Sequence, residues 1–113
     1  MFLDLGKTPY IIAEVGQNHQ GDLDLAKDFI KTFAAEGSDA IKFQTRDNKT
    51  LFSQEAYEKP YDSENAFAPT YGEHRELLEL KLEWLPVLKK ECEKHGVHFM
   101  STPFDEPSLS VLE

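Results

Sequence analysis

The chain has 113 residues, 40% hydrophobic and 29% charged, with a formal net charge of −9. Nucleic acids and anionic membranes are bound by surfaces rich in Lys and Arg, so this balance excludes a general binder of either, though a few local donors can still hold a small anionic substrate. No apolar stretch is long enough to cross a bilayer, and MFLDLGKTPY lacks a basic flank followed by an apolar core; no signal peptide is expected, and a cytoplasmic location is the default.

In chain order, the first apolar run, YIIAEVGQNHQGD from Tyr10 to Asp22, reads as a strand that exits into a polar cluster. LDLAKDFIKTFAAEG follows, with Leu25, Phe29, Ile30 and Phe33 on one face. This is an amphipathic helix capped by Asp22 or Asp24 and stopped by Gly37. In the second strand, DAIKFQTRD, alternation sends Ile41 and Phe43 one way and Lys42 and Gln44 the other. An ammonium and an amide on one face of an otherwise buried strand need a polar lumen or site.

From Arg46 to Tyr71 the chain is mostly polar but carries Phe52, Tyr57, Tyr61, Phe67 and Tyr71. Connections of this length are uncommon unless functional or disordered, and the aromatics favour an ordered lid. GEHRELLEL suggests a short helix. LEWLPVLKKECEKHG suggests a longer one starting between Leu82 and Leu85, where Pro86 falls in the first turn and costs little. The single cysteine, Cys92, lies on that helix with no base to activate it, so a packing or surface role is expected. The third strand, VHFMSTPFD, leads into a helix with Pro107 in its first turn.

Strand, helix, strand, helix, strand with polar strand exits predicts an α/β fold. Chemistry in such folds collects at the C-terminal strand ends, here Glu14, Lys42, Gln44, Ser101 and Thr102. A closed barrel needs about 250 residues, so the chain is read as an N-terminal fragment with open sheet edges. Its four histidines show neither i, i+4 helical ligand spacing nor a cysteine companion at zinc-finger spacing, and no metal site is expected within it.

Together, IIAEVGQNHQGDLDLAKDFI, DAIKFQT and HFMSTPFDEPSLSVLE resemble the N-terminal part of the sialic acid synthase family. Its members are N-acetylneuraminate synthase and the related legionaminate and pseudaminate synthases, which condense phosphoenolpyruvate with an N-acetylated hexose such as N-acetylmannosamine and release phosphate. The resemblance implies the first three β/α units of a (β/α)8 TIM barrel over residues 1–113, with the remaining barrel and a C-terminal antifreeze-like domain absent. Glu14 then matches a proton-handling carboxylate, Lys42 the lysine that holds the phosphoenolpyruvate carboxylate, Gln44 a glutamine near the amino sugar, and Thr102 a hydroxyl contacting phosphoenolpyruvate. Ser101 stands beside it, and Asn65 is the nearest candidate for a sugar-contacting asparagine of the variable loop. The family also implies a divalent metal, Mn2+ or Mg2+, with ligands outside this segment, and a homodimer for the full-length protein.

Each position has a plainer reading. Glu14 and Lys42 could be a structural ion pair across adjacent strands. Lys42 could be a Schiff-base lysine of an aldolase. Asn18 and His19 could cap the first helix and brace the loop, and Ser101 and Thr102 could satisfy backbone groups before Pro103. Two other functions remain open at this level: a phosphoenolpyruvate-dependent synthase of heptulosonate or octulosonate phosphates, and a non-catalytic piece that associates through its sheet edges.

Overall fold

A computed structural model describes residues 8–113; positions 1–7, which hold most of the stretch read as lacking a signal peptide, lie outside the described residues. Three strands, β1 (Ile12–Gly16), β2 (Ala40–Thr45) and β3 (His98–Pro103), form a parallel sheet in the order β1-β2-β3. The expected α/β architecture is therefore present.

Helix α1 (Leu23–Ala35) connects β1 to β2, and its start is fixed by Asp22, whose carboxylate accepts from the Leu25 amide at 3.1 Å. Between β2 and β3 lie three short helices, α2 (Asn48–Leu51), α3 (Gln54–Glu58) and α4 (Tyr71–Leu78), then a 3₁₀ turn at Leu82–Trp84 and helix α5 (Leu85–Lys94). Pro86 sits in the first turn of α5, where its missing N–H has no intrahelical acceptor to lose. Helix α6 (Glu106–Leu112) follows β3, capped by Asp105, which accepts from Ser108 N at 2.9 Å.

Alternation along the strands divides the sheet into two unlike faces. Ile41 and Phe43 pack with Val15, Ala26 and Ile30, and with Leu88 and Cys92 of α5, in one apolar core. Helices α1 and α5 touch each other over this face. The opposite face carries Ile12, Glu14, Lys42, Gln44, Met100 and Thr102, and it is open enough that Ile12 keeps 47% of its surface exposed. Consecutive strand order with both connecting helices on one face lacks the order reversal of a doubly wound sheet.

The long connection is ordered. Pro60 and Thr70 form an antiparallel bridge, and Tyr61, Phe67 and Tyr71 surround the buried His74, with the Tyr61 ring 4.5 Å from it. The Phe67 amide donates to His74 Nδ1 at 3.1 Å, and burial, aided by Arg75, lowers the imidazole pKa and favours the neutral ring that can accept this bond. The aromatics predicted to order the loop supply its packing.

Candidate active site

Parallel register puts Glu14 beside Lys42, and Gln44 beside Thr102, on the open face. Lys42 Nζ lies 3.6 Å from Glu14 Oε2, while Gln44 Nε2 donates to Glu14 Oε1 at 3.1 Å. Both charged side chains are more than one-third exposed, so their pairing contributes only about 0–1 kcal/mol to stability. A fixed ammonium, a carboxylate and an amide thus share one solvent-accessible surface, the set required to hold an anion and handle a proton next to it.

A bulge between Glu14 and Gly16 shapes the β1 end of this cluster. Gly16 has φ +59°, and a Cβ there would stand 3.2 Å from Gln44 Nε2 and 3.4 Å from Glu14 Oε1. Only glycine meets both the left-handed backbone and the lack of space.

The other sequence candidates separate from this cluster. Ser101 is in register with Phe43 on the helix-covered face, where its hydroxyl pairs with Thr45 Oγ1 at 2.6 Å. That bond joins β2 to β3 through two side chains rather than through backbone groups, while Thr102 keeps the open face. Asn65 is exposed in the turn of the long connection, with its amide donating to Ser63 Oγ at 3.2 Å. Asn18 donates from Nδ2 to Val15 O at 2.8 Å, and His19 accepts from Gly21 N at 2.9 Å through Nδ1. These two brace the turn after β1, but the cap of α1 is Asp22. His19 is fully buried against Phe43, and burial pushes its pKa down to about 4, against a smaller upward pull from the Gly16 backbone.

Arg46, Gln17, Glu79 and Asp105 were not among the sequence candidates. Arg46 donates from Nη2 to Gln44 Oε1 at 2.6 Å and lays its guanidinium 3.9 Å from the centre of the Phe104 ring. Glu79 accepts from Arg46 N at 3.1 Å and from Gln17 Nε2 at 2.8 Å, tying the loops after β1 and β2 together. Burial pushes the Glu79 carboxyl up to about 7, although these donors and the nearby Arg46 and Arg75 charges pull it down. Asp105 clasps the same region by accepting from Asp47 N at 2.7 Å. Arg46 could have been noticed two residues beyond Gln44 on the same alternation. Glu79 has no local signal, because its partners are tens of residues away.

Behind Arg46 lies a cavity of about 410 Å³ lined by Asn48, Glu79, Leu80, Ser108 and Val111 among others. Among the described residues, no group of three or more His, Cys, Asp or Glu side chains is placed to hold a metal ion.

A model of the NeuB family matches residues 29–113. N-acetylneuraminate-9-phosphate synthase of Mus musculus is 40% identical over 108 residues, covering 95% of this chain and 30% of that protein. N,N'-diacetyllegionaminic acid synthase of Legionella pneumophila is 41% identical over 106 residues, covering 93% and 30%. The crystal structure of N-acetylneuraminic acid (sialic acid) synthetase from Leptospira borgpetersenii, in complex with citrate, superposes with a TM-score of 0.72 at 30% identity, over 97% of this chain and 36% of that one. The chain thus spans about 30% of the length of the curated relatives it matches. With the matched residues running from within α1 through β2 and β3 to the end of the chain, the chain belongs to the NeuB family.

Proposed function

We propose that the complete protein is a sialic-acid-type synthase that condenses phosphoenolpyruvate with an N-acetylated hexose and releases phosphate. The observation that carries this reading is the convergence of Glu14, Lys42 and Gln44 on one open face at the strand ends of a NeuB family chain. In this reading the sheet is the first three β/α units of a (β/α)8 barrel and its open face lines the lumen. Consecutive strand order and one-sided helices support that geometry.

C3 of the enol phosphate attacks the aldehyde carbon of the open-chain sugar, forming the C–C bond. Water adds at C2, and phosphate leaves as the tetrahedral carbon collapses to a ketone. Lys42 supplies a fixed positive charge for the phosphoenolpyruvate carboxylate, which takes over the contact that the ammonium makes with Glu14. Glu14 orients the water and accepts its proton. Thr102, beside Gln44 in register, offers its hydroxyl to phosphoenolpyruvate, and Gln44 faces the amino sugar. A divalent ion polarising the aldehyde oxygen would take its ligands from other parts of the protein.

The mouse relative is named for a 9-phosphate product and the Legionella relative for an unphosphorylated one, so both acceptor types are to be tested. Phosphate release by the full-length protein is measured with phosphoenolpyruvate and N-acetylmannosamine or its 6-phosphate, with manganese present. Turnover is expected with one of the two. Lys42→Met should raise KM for phosphoenolpyruvate by about tenfold or more, and Glu14→Gln should lower kcat by about 10²–10⁴. No turnover with any N-acetylated hexose, or a Lys42→Met enzyme with unchanged kinetics, would overturn the assignment.

A further inference from the structure

We propose that Arg46 is a positioning residue that sets the polarity of the Gln44 side-chain amide, so that the site offers the amino sugar an N–H donor rather than a carbonyl acceptor. The inference rests on the synthase reading for its substrate and on local chemistry for its mechanism.

A glutamine amide has two ends of similar shape and opposite hydrogen-bonding character, so its orientation is set by its neighbours. A guanidinium can only donate, and Arg46 Nη2 lies 2.6 Å from one end of the Gln44 amide; that end must be the oxygen. An ionised carboxylate can only accept, and Glu14 Oε1 lies 3.1 Å from the other end, which must be the nitrogen. The reverse orientation would set N–H against N–H at one end and oxygen against oxygen at the other. One Nε2 proton is used by Glu14, and the second remains for an oxygen acceptor on the open face, such as the N-acyl carbonyl or a hydroxyl of the sugar.

Arg46 is itself held from two sides. Its backbone N–H is bound by Glu79 Oε2 at 3.1 Å, and its guanidinium lies on Phe104 just beyond β3. Gly16 leaves room for the amide nitrogen, since a Cβ there would come within 3.2 Å of it. Strand β1 through Glu14 and Gly16, Arg46 just after β2, and, through its ring on Arg46, Phe104 at the exit of β3 therefore all bear on one amide.

The test uses the full-length protein with Arg46→Met and Arg46→Lys, accepted for kinetics when their melting temperatures stay near the parent's. Arg46→Met should raise KM for the amino sugar about tenfold, as expected for one misdirected hydrogen bond, and leave KM for phosphoenolpyruvate within about twofold. Arg46→Lys should fall between. In a Gln44→Ala background the Arg46→Met change should cost nothing further. The side-chain amide signals of Gln44 in nitrogen-15 NMR give a readout independent of turnover. They should be shifted from the positions of a free glutamine amide and protected from solvent exchange in the parent, and move to free-amide positions with faster solvent exchange in Arg46→Met. Equal rises in both KM values, an additive effect on Gln44→Ala, or unchanged Gln44 amide signals would overturn the positioning role. A parent enzyme that turns over no N-acetylated hexose would overturn the synthase reading instead, and the NMR comparison would still decide the role of Arg46.

Discussion

Glu79 is held by two donors in a site that disfavours its charge, and its titration tests whether burial or hydrogen bonding dominates there. Its pKa rises from 4.5 to about 7, first through burial and against the pull of Arg46 N–H, the Arg46 charge, Gln17 and Arg75. Between those two values the folded protein keeps a proton that the unfolded chain has shed. The contribution of this group to stability is therefore fully present below pH 4.5 and is lost as pH rises through about 7. At about 1.4 kcal/mol per pH unit this makes about 3 kcal/mol, before allowance for the solvent contact that Glu79 retains. Carbon-13 NMR of the labelled carboxyl should give a midpoint near 7. Glu79→Gln removes the ionisation, and its loss of an acceptor for Gln17 or Arg46 is independent of pH. The melting temperature of the variant relative to the parent should therefore climb from pH 5 to pH 8. A carboxyl midpoint at or below 4.5, or a difference that does not grow with pH, would refute the argument that burial outweighs the donors.

Gly16→Ala should cost about 1–2 kcal/mol for a left-handed alanine and push the Gln44 amide off Glu14. Turnover falling less than the melting temperature implies would count against the close packing. Cys92 is fully buried on α5, with its thiol pushed up to about 12 by burial and then by Glu91 and Glu93. It should resist thiol reagents at pH 8 in the native protein and react fully in denaturant; fast native labelling would contradict this. His74 accepts the Phe67 amide only while neutral, and because burial lowers its pKa from 6.5, the contact should persist at neutral pH and be lost as pH falls through that lowered value. Hydrogen exchange at Phe67, corrected for the intrinsic pH effect, should accelerate on acidification, and a flat profile would show that the ring does not hold the loop.

Sequence reasoning located all three strands, the two amphipathic helices and the face bearing Glu14, Lys42 and Gln44. Alternation and three-to-four-residue spacing are local properties that the backbone geometry imposes on any packed strand or helix. It also identified the order of the long connection, because five aromatics in a polar stretch must bury against something. The short helices α2 and α3 were missed, since four or five residues carry too few turns to show a period. Ser101 and Thr102 were taken together as adjacent hydroxyls, yet alternation through the β2 to β3 register sends one to the helix-covered face and the other to the open face.

What the sequence determined by itself is the strand-end positions of Glu14, Lys42 and Gln44 and the face shared by the last two, because side-chain direction follows from strand periodicity within a few residues. What only the tertiary structure decided is their mutual orientation: the Gln44 amide fixed between Glu14 and Arg46, and the loop after β2 fastened by Glu79 from the end of α4. Those contacts join residues separated by 30 positions for Gln44 and Glu14 and by 33 for Arg46 and Glu79. They arise when the parallel sheet aligns its strand ends, and no local pattern encodes that alignment.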